Sequence, residues 1–417
     1  MILPRMYRVK QQSRAEPVAD IEGAVSEALG KARFWSGLGP GARIGITAGS
    51  RGVAGIAAIL RAAARQTREH GAEPFIIPAM GSHGCGTTTG QIEVLRGLGV
   101  TESTVGCPIR QSSQAVEVGR LPDGTPLYQN PLTRDCDGVI LVNRVKPHTS
   151  FRGIVESGLL KMLVVGLGNP AGANVFHRLA PQALGAKLLE MGRALLDITP
   201  VRYGLAVLET AEGCVADVDG IEPEHIEEKE AELLVKARKL MPSIPFCGIH
   251  LLIVEEMGKC FSGTGMDTNV IGRLRIQGEP EPEKPGIARI VVLGLAEASH
   301  GNAHGIGLAD FTTKRLVAAI DWEATYLNAI TSSFIQRAFV PITLPGDRDA
   351  IDAAIRSLGG VSPGRIRAVW IKNTLHIDEI IVSEALKEEA CANPDLTMDG
   401  AGFFPDFAGG RLAGGWD

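Results

Sequence analysis

Arg43-Ile44-Gly45-Ile46-Thr47-Ala48-Gly49-Ser50-Arg51-Gly52 reads as a short apolar run closed by glycines, and behind it Val53, Ile56, Ile59, Leu60 and Ala63 recur at helical spacing. A run with no polar face belongs in a sheet covered on both sides. A helix following at once is the crossover that parallel strands require. The same order returns along the chain. Pro74-Phe75-Ile76-Ile77-Pro78 runs into Gly81-Ser82-His83-Gly84, and Thr88 with Gln91 has capping-box spacing for the next helix. Gly138-Val139-Ile140-Leu141-Val142 then delivers Lys146-Pro147-His148, and Leu205-Ala206-Val207-Leu208 precedes a charged amphipathic helix near Glu224 to Lys239.

The series pauses at Met241-Pro242-Ser243-Ile244-Pro245 and resumes with Leu251-Leu252-Ile253-Val254, Ile290-Val291-Val292-Leu293 and Ala368-Val369-Trp370-Ile371. The expected fold class is therefore α/β, with two Rossmann-like domains, mainly parallel sheets and a cleft between them. The expected boundaries are 1–243 for the first domain and 244–390 for the second. Residues 391–417 form a glycine-rich tail without periodicity. A length of 417 residues agrees with two domains.

Composition excludes several classes. With 45% hydrophobic and 21% charged residues the chain is globular, and a net charge of -5 with no basic run leaves no footprint for nucleic acid. The early basic residues lack an apolar region behind them, so neither a signal peptide nor a membrane span is expected. Seven cysteines without a CxxC pair argue against a disulfide framework or a structural zinc site, and a cytoplasmic location fits.

In open α/β sheets, ligands bind beyond the carboxyl ends of the strands, where helix N-termini favour anions. Arg51, His83 and His148 each follow such an end. A cation and two imidazoles from three separate strands are the residue types of acid-base chemistry on a small anion. In the next domain Lys259 follows a strand end in a polar loop. Ser299-His300-Gly301-Asn302-Ala303-His304 carries glycines that disfavour a helix, so it is assigned to loop or pocket rather than to a pair of metal ligands. Gly166-Leu167-Gly168-Asn169-Pro170-Ala171 matches a loose dinucleotide pattern, but Leu188-Leu189-Glu190-Met191 reads as helix where that site needs a second strand.

Asn143-Arg144-Val145-Lys146-Pro147-His148-Thr149-Ser150-Phe151, Glu156-Ser157-Gly158-Leu159-Leu160-Lys161 and Gly166-Leu167-Gly168-Asn169-Pro170 on to His177 resemble the cofactor-anchoring segment of the nickel-pincer hydroxyacid racemase and epimerase superfamily, typified by lactate racemase. In order, the resemblance implies that His148 is a catalytic base, that Lys161 holds the nickel-pincer nucleotide covalently as a thioamide, and that His177 ligates nickel. Ser50-Arg51 is similar to the family's Thr-Arg element at the cofactor and substrate, and Gly81-Ser82-His83 to the Gly-Thr-His element bearing the second base. Lys259 resembles a substrate-orienting lysine. Ala48 replaces a family aspartate, and Gly158-Leu159-Leu160 a glycine-glycine-arginine.

The implied function is inversion of the C2 centre of a 2-hydroxy acid, with proteins that build and insert the cofactor as partners. Two other readings suit the same residues: an anion- or nucleotide-binding protein without nickel, and a cofactor-free racemase working through two histidines.

Overall fold

The computed structural model describes residues 3–13, 15–50 and 52–416. It divides into two compact units, one of residues 14–241 and one of residues 1–13 together with 242–417. The division falls at Met241, next to the expected boundary, but the first thirteen residues differ from expectation in belonging to the second unit. The reason is pairing: Met6–Gln11 lies between Glu379–Ser383 and Leu396–Phe403, antiparallel to both.

In the unit of residues 14–241 a five-stranded sheet runs in the order Glu73–Pro78, Arg43–Ala48, Gly138–Arg144, Val201–Glu209 and Val215–Ile221. The first four are parallel and the last is antiparallel. Alternate residues serve opposite faces, as the period of a strand requires. Ile140 and Val142 meet Ile59, Leu60 and Ala63 of the helix Ile56–Glu69. Val139 and Leu141 join Leu188, Leu195, Leu233 and Leu234 of the helices Leu184–Ile198 and Ile226–Leu240. The helix after Pro78 is capped by Thr87, whose hydroxyl accepts the Gly90 N–H, so the cap lies one residue earlier than the Thr88 and Gln91 spacing predicts.

The other unit holds an eight-stranded sheet in which Ile342–Leu344, Phe311–Thr313, Ile287–Leu295, Ile249–Met257 and Ala368–Ile371 are parallel. The three strands Glu379–Ser383, Met6–Gln11 and Leu396–Phe403 complete it in antiparallel fashion. Both units are thus α/β with mostly parallel sheets. The stretch 391–416 packs into this unit. Besides Leu396–Phe403 it forms the hairpin Asp406–Ala408 with Arg411–Ala413. Trp416 packs edge-on against Trp370 at 5.8 Å, and its indole N–H joins that of Trp370 in donating to Glu255. Among the described residues no single helix is long and apolar enough to cross a membrane.

Candidate active site

Chain order in the five-stranded sheet reverses between Arg43–Ala48 and Gly138–Arg144, because the strand after Arg43–Ala48 lies on its far side. Such a reversal splays the connections apart and opens a crevice at the strand ends. Ser50 leaves one of these strands there, and its Oγ is in hydrogen-bond contact with His83 Nδ1 from the next. Gly84 keeps the His83 turn tight. Its φ is +64°, and a Cβ there would lie 2.5 Å from the Gly90 carbonyl carbon. The Gly81 N–H donates to the Gly166 carbonyl at 3.2 Å, which ties the His83 loop to the segment beyond Lys161.

His148 sits on a loop organised by one carboxylate. Glu156 is wholly buried. It accepts the His148 N–H at 2.6 Å, the Gly153 N–H at 3.3 Å and the Arg238 guanidinium at 2.7 Å. Ser150 donates its N–H to His148 Nδ1 at 3.0 Å. In a neutral ring that bond leaves the proton on Nε2. The imidazole stacks on Phe151, with centroids 4.2 Å apart.

Phe151 is also where the rest of the segment converges. Lys161 Nζ lies over its ring, 6.0 Å from the centroid. Phe176 meets it edge-on at 6.0 Å, and His177 meets Phe176 edge-on at 5.5 Å. A sharp bend makes this possible. The helix beginning at Leu159 turns from α to π between Met162 and Gly166, and the helix Asn169–His177 leaves it at 108°. π-turns widen a helix by one residue and recur at functional sites. Gly168 permits the corner, since a Cβ there would stand 2.4 Å from the Val164 carbonyl oxygen. Asn169, at φ +50°, pins it by donating its amide to the Ser112 and Gln114 carbonyls at 3.1 and 2.7 Å.

Residues 4–181 match the family model described as the lactate racemase N-terminal domain. That match lies in the N-terminal part of the chain and takes in Ser50, His83, His148, Lys161 and His177. Among solved structures the chain resembles the lactate racemase apoprotein from Thermoanaerobacterium thermosaccharolyticum, with 12% identity and a TM-score of 0.49 over 82% of this chain and 89% of that one. No curated protein matches it.

The expected site residues fall into groups. Ser50 and His83 touch, while His148, Lys161 and His177 surround the Phe151 and Phe176 rings. Arg51 lies outside the described residues. Lys259 belongs to the other unit, where its Nζ donates to the Gly263 carbonyl at 2.6 Å and to Asn328 Oδ1 at 2.5 Å. Its N–H donates to Ser299 Oγ at 2.8 Å. Nearby, burial with the charges of Lys259 and Arg337 pushes the His304 imidazole down to about 3, so that ring is neutral.

Sequence reasoning quoted Phe151 and Glu156 without giving either a role, and it passed over Phe176 and Asn328. A phenylalanine between two apolar runs looks like any core residue. Glu156 did carry a signal: an acid next to the small pair Ser157-Gly158, within an otherwise apolar stretch, has no solvated face to occupy.

Proposed function

We propose that this protein inverts the C2 centre of a 2-hydroxy acid as a nickel-pincer nucleotide-dependent racemase or epimerase. The observation that carries the reading is the gathering of His148, Lys161 and His177 about one pair of aromatic rings. The residues suit the cofactor. Lys161 offers the amine for its covalent attachment, and the buried Phe rings hold the segment that carries it. His177 would offer an imidazole to nickel, a metal that imidazole ligands suit. When bound, the cofactor supplies an acceptor for the hydrogen on C2 and a source for its return.

The chain's own part is the hydroxyl proton and the carboxylate. Ser50 Oγ can donate to His83 Nδ1 or accept from it, which leaves both neutral tautomers open to His83, and one of them has Nε2 as a base. His148, whose Nδ1 accepts the Ser150 N–H, would offer its Nε2–H to the substrate oxygen as a hydrogen-bond donor. To take or give a proton at Nε2 the ring has to release the Ser150 bond, so that Nδ1 carries a proton while Nε2 exchanges one. Loss of the hydroxyl proton and the C2 hydrogen leaves a planar 2-keto acid, and restoring both on the opposite face inverts the centre. Arg51 is proposed to grip the carboxylate through two parallel hydrogen bonds. Lys259 is assigned to substrate binding on the resemblance. All seven cysteines stand as thiols, which suits a reducing cytoplasm.

The test is intact mass and nickel content of protein made in a host that synthesises the cofactor. The expected result is about one nickel per chain with a nucleotide adduct on Lys161, lost in Lys161→Ala, and weakened nickel retention in His177→Ala. Protein carrying neither adduct nor nickel from such a host would leave an anion-binding protein in its place. Deuterium entering C2 from heavy water would point instead to a cofactor-free carbanion route.

A further inference from the structure

Glu230, on the helix Ile226–Leu240, is wholly buried, and among the described residues no cation pairs with it. Burial pushes its carboxyl up to about 7. A carboxyl enclosed on these terms is expensive to keep, so what it touches matters. Its Oε2 accepts the N–H of Leu160 at 3.0 Å. That is one of the opening amides of the helix that presents Lys161, and that helix has no side-chain cap of its own because the residue before it is Gly158. The glycine answers to the carboxyl. A Cβ at position 158 would lie 2.2 Å from Glu230 Oε1, yet the backbone there is extended, at φ -168°, and open to any residue. From the other side Asn143 Nδ2 donates to the Gly158 carbonyl at 2.7 Å.

We propose that Glu230 is a positioning residue for Lys161, a cap delivered from a helix some seventy residues away that fixes the first helical turn and thereby the direction in which the lysine amine leaves the chain. Serine or aspartate at position 158 would cap the same amide locally. A cap from the helix Ile226–Leu240 instead refers the lysine to a rigid element of the core, and the absent side chain at Gly158 is what lets the carboxyl reach. This rests on the reading of Lys161 as the attachment amine, but its test needs no cofactor.

The experiment uses full-length protein without cofactor and reads two local quantities. One is the rate and pH profile of Lys161 acylation by acetic anhydride, followed by peptide mass. The other is amide exchange over residues 159–166. Glu230→Leu and Gly158→Ala should each speed that exchange about tenfold or more, the effect of losing one buried hydrogen bond. Both should displace the acylation profile of Lys161 relative to the other lysines. Glu230→Gln, which keeps an acceptor oxygen and the shape, should restore wild-type values to within about twofold. Gly158→Ala combined with Glu230→Ala should cost less than the two changes added, because the clash goes with the carboxyl. The proposal is overturned if these variants lose thermal stability while Lys161 acylation and exchange at 159–166 stay as in wild type. Should Glu230→Leu fail to fold, Gly158→Ala and Glu230→Gln decide alone. A missing adduct in the cofactor-making host would remove the role of Lys161 without altering either readout.

Discussion

Phe151 touches His148 with its face, lies beneath Lys161 and meets the edge of Phe176, all from one buried side chain. Its worth to stability and its worth to the site can be separated. Phe151→Leu keeps most of the apolar volume, so unfolding in urea should show a loss of only about 1 to 1.5 kcal/mol, the range for a near-isosteric core change that forfeits aromatic contacts. Lys161, His148 and Phe176 would lose a shared surface, so adduct yield on Lys161 should fall by far more than the folded fraction. Equal falls in both would reduce Phe151 to ordinary packing. Phe151→Ala should cost about 3 to 5 kcal/mol and cannot make this distinction.

Among the elements, the corner between the helix from Leu159 and the helix Asn169–His177 is the least ordinary. Gly168→Ala would push a methyl into the Val164 carbonyl and to 3.0 Å from Gly172 Cα, both of them backbone. Backbone cannot swing aside as a side chain can, so a loss of about 1 to 3 kcal/mol is expected, with weakened nickel retention at His177. A variant as stable as wild type would mean that the corner relaxes freely. Elements of this kind also mark the limit of what the sequence tells. Apolar runs such as Gly138–Arg144 and Ile249–Met257 are legible because a strand covered on both faces has no other composition. Cap chemistry places the start of the helix after His83 to within one residue. The π-turn after Lys161 is illegible, since it alters hydrogen-bond partners without altering which residues are apolar. Glu230 hides for a related reason: in Glu227-Glu228-Lys229-Glu230 it looks like one more charge on a solvated face, and only packing shows that it points inward. His83 and His148 stand out by residue type and place after strands, and Lys161 and His177 through the family resemblance, whereas the rings and carboxylates beside them required coordinates.

Across the whole molecule, two enclosed titratable groups act in opposite senses, one in each unit. Glu230 has its folded value raised above the usual carboxylate range to about 7. Its contribution to the unit of residues 14–241 is therefore fully present at acid pH and is lost as pH rises from about 4.5 through 7, by about 3 kcal/mol in all. His304 has its folded value lowered to about 3. The contribution it makes to the other unit is present above about 6.5 and is lost as pH falls from there toward 3. Scanning calorimetry between pH 7 and pH 5 should accordingly show the unit of residues 14–241 gaining on the other as pH falls, and Glu230→Gln should flatten its share. Transitions that keep their separation across this range would contradict both assignments.

The strand Met6–Gln11 carries a consequence for the order in which the protein can be made. It leaves the ribosome long before its neighbours in the sheet, Glu379–Ser383 and Leu396–Phe403. All of residues 14–241 can emerge and fold in the interval, while the strand waits with both edges unpaired. Contacts of such long sequence separation form slowly and leave edges open to wrong partners in the meantime. A chain lacking residues 1–11 should keep the unit of residues 14–241 protected from protease and lose protection across 379–403, where two strands would be left facing a gap. Added late as a separate peptide, Met6–Gln11 should restore that protection, which would make this strand fold long after its own synthesis.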